Sequence, residues 1–175
     1  ILAGRKRARV LDLGAGSGCI AICLAANLPF IEVVGVDLSE KALKAARINA
    51  FRHNVESRVR FLAGSWFEPL AEEEKFDLII SNPPYIVRNE IKTLEREVRT
   101  YDPMGALDGG EDGLDAYREI IGKAGKYLNI RGDLLLEVGH DQARPVSAFC
   151  LKAGFGHVEK HPDLAGHDRV IKASC

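Results

Sequence analysis

LDLGAGSG, residues Leu11–Gly18, reads as the end of a strand, a glycine turn and the start of a helix. The run that contains its first half, RVLDLG over Arg9–Gly14, is short and mostly apolar, as expected of a strand covered on both faces. Gly14, Gly16 and Gly18 permit positive φ and let a ligand approach the main chain. A helix that begins there offers its free N–H groups to the same place. Many α/β folds carry such a turn, but the spacing separates them. A dinucleotide fingerprint has its third glycine, or an alanine, in the sixth position. Here Cys19 stands in that place and Gly18 makes the pattern G-x-G-x-G.

Outward from this turn, short β-branched runs alternate with longer helical stretches. IEVVGVD (Ile31–Asp37), VRFLAG (Val59–Gly64), KFDLIIS (Lys75–Ser81) and DLLLEVG (Asp133–Gly139) read as four further strands. Residues 19–28 have helix composition and are apolar nearly all round. That predicts a buried helix, with Cys19, Cys23 and the later Cys150 as small core residues. Ser39 suits an N-cap, because its hydroxyl can accept from the first turn. The helix behind it runs over 40–54, with Ala42, Ala46 and Ile48–Ala50 expected toward the sheet. Residues 142–154 form another helix, and 155–163 with 168–174 a closing antiparallel pair. Strand–helix alternation implies βαβ units, hence an α/β fold with a mainly parallel sheet. The stretch 88–115 is different: polar, with Pro103 and the glycine-rich GALDGGEDG (105–113), and without a sheet strand. Long irregular segments in compact domains are usually functional or mobile, and this one, with Arg99 and Asp102, reads either as a flap on the substrate side or as a plain connection.

Open α/β sheets bind ligands outside the carboxyl ends of their strands. Several polar and aromatic residues fall at that edge. The G-x-G-x-G form, with Gly14, Ala15, Gly16, Ser17 and Gly18, resembles motif I of the class I S-adenosylmethionine-dependent methyltransferases. Asp37 closes the second strand about 20 residues later, where a carboxylate can accept from both hydroxyls of a ribose. Asp12 precedes the turn and either supports it or meets the cofactor's charged end. Trp66, in GSWFEPL (Gly64–Leu70), can lie against an adenine face. Glu137 and His140 follow the fifth strand, and either could order the site.

SNPPYI (Ser81–Ile86) ends the fourth strand. Neither proline can donate to a ladder, and the first pushes Asn82 toward extended geometry. An amide side chain and an aromatic ring are thus held on a stiff loop. A planar amino group has its lone pair delocalised and attacks carbon poorly. The Asn82 side-chain oxygen and the Pro83 carbonyl can hold its two N–H groups, Pro84 stiffens the loop, and Tyr85 can lie against the planar group. That is catalysis by positioning, with Asn82, Pro83 and Tyr85 as the catalytic set and no metal or protein nucleophile required.

DLGAGSG, GSWFEPL, SNPPYI, EVRTYDPMGALDGGEDGLDAYR, LLLEVGHDQ and AGHDRV together resemble the HemK/PrmC family, protein-(glutamine-N5) methyltransferases of class-1 peptide-chain release factors. The match runs from Arg9 to the C-terminus. The NPPY element alone is shared with adenine-N6 and other amino methyltransferases acting on DNA or RNA, which is the alternative reading. The resemblance implies a Rossmann-like class I fold: a mostly parallel seven-stranded sheet with an antiparallel last strand and helices on both faces. It implies S-adenosylmethionine as cofactor and S-adenosylhomocysteine as product. Gly14–Gly18, Asp37, Trp66 and Asn82 would contact the cofactor. Asn82, Pro83, Pro84 and Tyr85 would hold the glutamine of the Gly-Gly-Gln motif. Residues 1–175 are expected to be the catalytic domain, without the family's small N-terminal helical domain.

The totals agree with this. Formal net charge is −1, so there is no footprint for gripping a nucleic-acid backbone, and GRKRAR (Gly4–Arg9) reads as a solvated lead-in. Of four cysteines none makes a C-x-x-C, no zinc spacing occurs, and Cys175 reads as a free tail thiol. No apolar run reaches the ~20 residues of a membrane span. A monomer in a reducing cytoplasm is expected, with a release factor as protein partner and neither nucleic acid nor membrane.

Overall fold

The inner strands are apolar at consecutive positions because both faces of the sheet are covered. In β1 (Ala8–Leu13) Ala8 and Val10 enter one core while Leu11 and Leu13 enter the other, and all four are buried. β2 (Ile31–Asp37) divides Ile31 and Val33 from Val34 and Val36 in the same way. A computed structural model describes residues 1–2, 4–93 and 104–174. Its seven-stranded sheet has the order β3 (Val59–Ala63), β2, β1, β4 (Phe76–Ser81), β5 (Leu128–Glu137), β7 (Asp168–Ser174), β6 (His157–Pro162). β1 to β5 pair in parallel, and β7 is antiparallel to both of its neighbours. Strand order reverses between β1 and β4, which opens a crevice at their carboxyl ends.

Helices cover both faces. α1 (Cys19–Asn27) and α2 (Glu40–Arg52) bury Ala21, Ile22, Leu43 and Ala46 on one side. α4 (Asp115–Tyr127) and α5 (Ala143–Lys152) bury Tyr117, Ile120, Val146 and Cys150 on the other. Between them come a 3-10 turn at Ile91–Thr93 and the short α3 (Met104–Leu107).

Four local expectations are corrected. α1 is not buried all round: Ala21, Ile22 and Ala25 face the sheet, while Cys19 and Cys23 are exposed. One helix on a sheet face has only one side to bury, and a small apolar residue does not reveal which. α2 turns Leu43, Ala46 and Ala50 inward, and Ile48 is exposed. α4 has no counterpart in the sequence reading. Gly122 and Gly125 weaken its intrinsic propensity, but Ala116, Tyr117, Ile120, Ala124 and Tyr127 form a buried stripe that outweighs them. β5 begins at Leu128, five residues earlier than Asp133. Its register on β4 shifts between Phe76 and Leu78, and Arg131 there takes φ +62°.

The basic lead-in is largely exposed, as expected, and its three arginines make ion pairs. Arg5 meets Asp77 at 2.6 Å, Arg7 meets Glu32 at 2.5 Å and Arg9 meets Glu74 at 2.6 Å, all at the amino edge of the sheet. Of the expected flap, Arg99 and Asp102 lie outside the described residues, as does Cys175. Its described end is clasped to the segment after β4: Ile86 N–H donates to Leu107 O at 3.0 Å and Gly109 N–H to Ile86 O at 2.9 Å.

Candidate active site

The glycine turn is tied down by its own backbone. Gly14 and Ala15 N–H both donate to Val36 O, at 2.8 and 3.0 Å, which lays the turn across the end of β2. Gly14, Gly16 and Gly18 take φ of +73°, +55° and +82°. Asp37 braces the turn from the side: Oδ2 accepts from Gly16 N–H and Oδ1 from Ser39 N–H, both at 2.7 Å. A carboxylate has about four lone-pair sites, so capacity remains for a ligand's hydroxyls. Ser39 caps α2 as expected, accepting from Ala42 N–H at 3.2 Å.

Asp12 is the support beneath the turn. It is 1% exposed, and Oδ2 accepts from Ala21 N–H in the first turn of α1 at 3.1 Å. Oδ1 is buried with no hydrogen-bond partner among the described residues. Burial pushes the carboxyl up from 3.8 to about 7; the Ala21 N–H opposes this and the nearby Asp37 charge adds to it.

β4 brings the second loop alongside. Ser81 Oγ donates to Leu13 O at 2.7 Å in a buried bond that locks the ends of β4 and β1 together. Asn82 follows directly and is exposed, whereas Pro83 is buried. Three loops then meet at Gly14: a Cβ there would stand 3.7 Å from Trp66 Cζ3 and 3.8 Å from the Asn82 carbonyl oxygen. Trp66 reaches this point from a turn after β3, with φ +47°.

The crevice they enclose has a volume of about 660 Å³. Of the residues expected at the cofactor, Gly14, Gly16, Ser17, Asp37, Trp66 and Asn82 line it. Ala15 and Gly18 do not. Ala15 is buried under the turn, and a Cβ on Gly18 would meet Ile22 Cδ1 and Phe61 Cζ at 2.9 Å, so both shape the loop from the core side. Of the acceptor loop, Pro84 also lines the crevice, while Tyr85 packs against the core beside α4. Gly105 and Ala106 of α3 form a further wall; they lie in the stretch expected as a flap, although the sequence reading singles out neither residue there. Glu137 and His140 do not border it: the Glu137 carbonyl accepts from Tyr117 at 2.9 Å, and His140 pairs with Asp141 at 2.7 Å. A smaller groove of about 320 Å³ lies at the amino edge, where Arg9 and Arg60 both pair with Glu74. Among the described residues no group of three His, Cys, Asp or Glu is arranged to hold a metal, and no helix is long and apolar enough to cross a membrane.

A methyltransferase domain family matches residues 5–145, most of the chain and all three loops of the crevice. The chain belongs to the methyltransferase domain family. Its relatives in this family include a release factor glutamine methyltransferase of Geobacter sulfurreducens, 49% identical over 94% of this chain and 57% of that protein. Another, of Thermodesulfovibrio yellowstonii, is 45% identical over 93% of this chain and 58% of that protein. The chain therefore spans somewhat over half the length of these relatives. The crystal structure of a methyltransferase from Pyrococcus furiosus superposes over 99% of this chain and 78% of its own, with TM-score 0.72 at 20% identity. The fold that the family resemblance implied, a class I methyltransferase sheet with helices on both faces, is the fold the chain adopts.

Proposed function

We propose that the protein transfers a methyl group from S-adenosylmethionine to the side-chain amide nitrogen (N5) of the glutamine in the Gly-Gly-Gln motif of class-1 peptide-chain release factors. The observation that carries this reading is the meeting of the glycine turn, Trp66 and Asn82 around one crevice. A stiff loop with amide-binding groups stands directly on a nucleoside-sized site.

The crevice suits the cofactor. Its volume falls within the roughly 300–1,000 Å³ of small-molecule sites. Gly14 and Gly16 leave bare main chain on its wall, Asp37 keeps acceptor capacity for ribose hydroxyls, and Trp66 offers an aromatic face. Gly14, Gly16, Ser17, Asp37, Trp66 and Asn82 would hold it, with Ala15 and Gly18 setting the path of the turn. When bound, it supplies a methyl group on a sulfonium and leaves as S-adenosylhomocysteine.

The chain's own residues supply the geometry. The Asn82 side-chain oxygen and the Pro83 carbonyl accept the two N–H groups of the substrate amide and aim its nitrogen into the crevice. Pro83 and Pro84 keep that carbonyl from turning away, and Tyr85 flanks the planar amide. Preorganisation of this kind removes orientational entropy from the barrier. One amide proton is lost on methylation and passes to water. The choice of glutamine over a nucleobase is supported by relatives named for release factor glutamine methylation, by the net charge of −1 and by the pairing of Arg5, Arg7 and Arg9. A translation-factor substrate places the protein in the cytoplasm, where it would act as a monomer without binding nucleic acid directly.

Methyl-labelled S-adenosylmethionine, the protein and a purified class-1 release factor test this. Peptide mass spectrometry should find the label on the Gly-Gly-Gln glutamine. Label in DNA or RNA, with none in the factor, would refute the assignment in favour of a nucleic-acid amino methyltransferase.

A further inference from the structure

The side chain of Gln142, at the N-cap of α5, sits at the junction of three segments far apart in sequence. Its Nε2 donates to Tyr85 O at 2.8 Å and to Gly113 O at 3.0 Å. Its Oε1 accepts from Gly139 N–H at 3.0 Å and lies 3.2 Å from the Tyr117 hydroxyl, whose proton is shared with the Glu137 carbonyl. The orientation of the amide is fixed by chemistry: the two carbonyls only accept and the Gly139 N–H only donates. All four hydrogen-bonding sites of one amide are therefore engaged, in a partly buried setting where an unmade bond is expensive.

The space around this amide is closed by glycines. A Cβ on Gly113 would stand 2.5 Å from Tyr85 O and 2.6 Å from Gln142 Nε2. On Gly139 it would stand 2.8 Å from Gln142 Oε1 and 3.1 Å from Tyr85 Cδ2. On Gly109 it would stand 2.9 Å from the Tyr85 Cα and carbonyl carbon. Gly109 and Gly113 belong to the GALDGGEDG run, and with Gly139 they form a collar around Tyr85. The collar does not border the 660 Å³ crevice.

We infer that Gln142 is a positioning residue for methyl transfer. It pins the Tyr85 main chain inside this collar and so fixes the Pro83 carbonyl and the Asn82 side chain. The inference rests on the proposed role of the Asn82–Tyr85 loop as the acceptor clamp.

Gln142→Glu preserves the size and shape of the side chain but sets lone pairs against the Tyr85 and Gly113 carbonyls. With release factor as substrate, kcat should fall about 10²-fold, the scale expected for small misplacements of reacting groups. The Kd for S-adenosylmethionine should stay within about twofold, because no cofactor contact is lost. Amide hydrogen exchange at Ile86 and Gly109 should accelerate at least about tenfold as the clasp loosens. Tyr117→Phe, which removes only the shared hydroxyl, should move kcat and exchange the same way by a smaller factor, and it serves where the first variant does not fold. In a variant that folds, a Kd for S-adenosylmethionine weakened in step with kcat would show a general structural role instead, and that result would overturn the inference. So would unchanged exchange at both amides, or wild-type kcat. If the wild-type protein fails to methylate the factor while exchange still accelerates selectively in the variant, the substrate assignment fails and the pinning of the loop stands.

Discussion

Gly16→Ala and Gly18→Ala should separate two tasks of one glycine turn. Both residues have positive φ, +55° and +82°, and an L side chain in that region costs about 1–2 kcal/mol. Part of this returns, about 0.4–1 kcal/mol, because alanine reduces the freedom of the unfolded chain. For Gly16 nothing lies within 4 Å of the new Cβ, so the net loss of stability is about 1 kcal/mol. For Gly18 the Cβ would meet Ile22 and Phe61 at 2.9 Å and Ala46 at 3.2 Å. Overpacking adds about 1–3 kcal/mol, for a total of roughly 2–4 kcal/mol. At about 2–4 °C per kcal/mol for a chain of this size, Gly18→Ala should lower Tm by roughly 5–15 °C and Gly16→Ala by only a few degrees. Affinity should show the reverse order. Gly16 lines the crevice and Gly18 does not, so Gly16→Ala should weaken S-adenosylmethionine binding about 10–100-fold, and Gly18→Ala by no more than about twofold well below its Tm. Circular dichroism gives the melts. Emission from Trp66, the single tryptophan and part of the crevice wall, gives the titration. Equal Tm losses for the two variants, or a Gly18→Ala protein of normal Tm with weakened binding, would refute the division of labour.

Three further outcomes are expected. Asp12 has a folded pKa of about 7 against 3.8 unfolded; the native state therefore binds the extra proton, and this group's stabilisation is complete below pH ~4 and lost as pH rises through about 7. Urea midpoints should fall over that range in the wild type and flatten in Asp12→Asn, with the variant the more stable at pH 8. Asn82→Ala should cut single-turnover methylation about 10²-fold or more with little change in Tm, since the residue is exposed. Asp37→Ala removes the acceptors of Gly16 and Ser39 N–H as well as the proposed site for ligand hydroxyls, and calorimetry should show cofactor binding weakened about 10–100-fold.

Much of the site was legible because its parts are local. Gly14 and Gly16 must be glycine for backbone reasons, Ser39 caps the helix that immediately follows it, and Pro83 and Pro84 stop the strand that immediately precedes them. Asp37 was legible as a partner of the turn because it ends the neighbouring strand of a βαβ unit. Ser81 was not: its hydroxyl could have pointed to solvent, and only the β1–β4 pairing aims it at Leu13 O across 68 residues. The α4 helix escaped notice because Gly122 and Gly125 disguise a stripe whose worth depends on the sheet it covers.

The sequence by itself determined the class of fold, the backbone character of the two loops and the edge of the sheet on which they stand, because hydrophobic period, turn residues and capping act between near neighbours. The tertiary structure alone decided which face of α1 is buried, that Gly18 looks into the core while Gly16 looks into the crevice, and that Gln142 reaches Tyr85 across 57 residues and Gly113 across 29. Those outcomes depend on strand order and on what packs opposite, and a side chain carries no local sign of the partner it will meet.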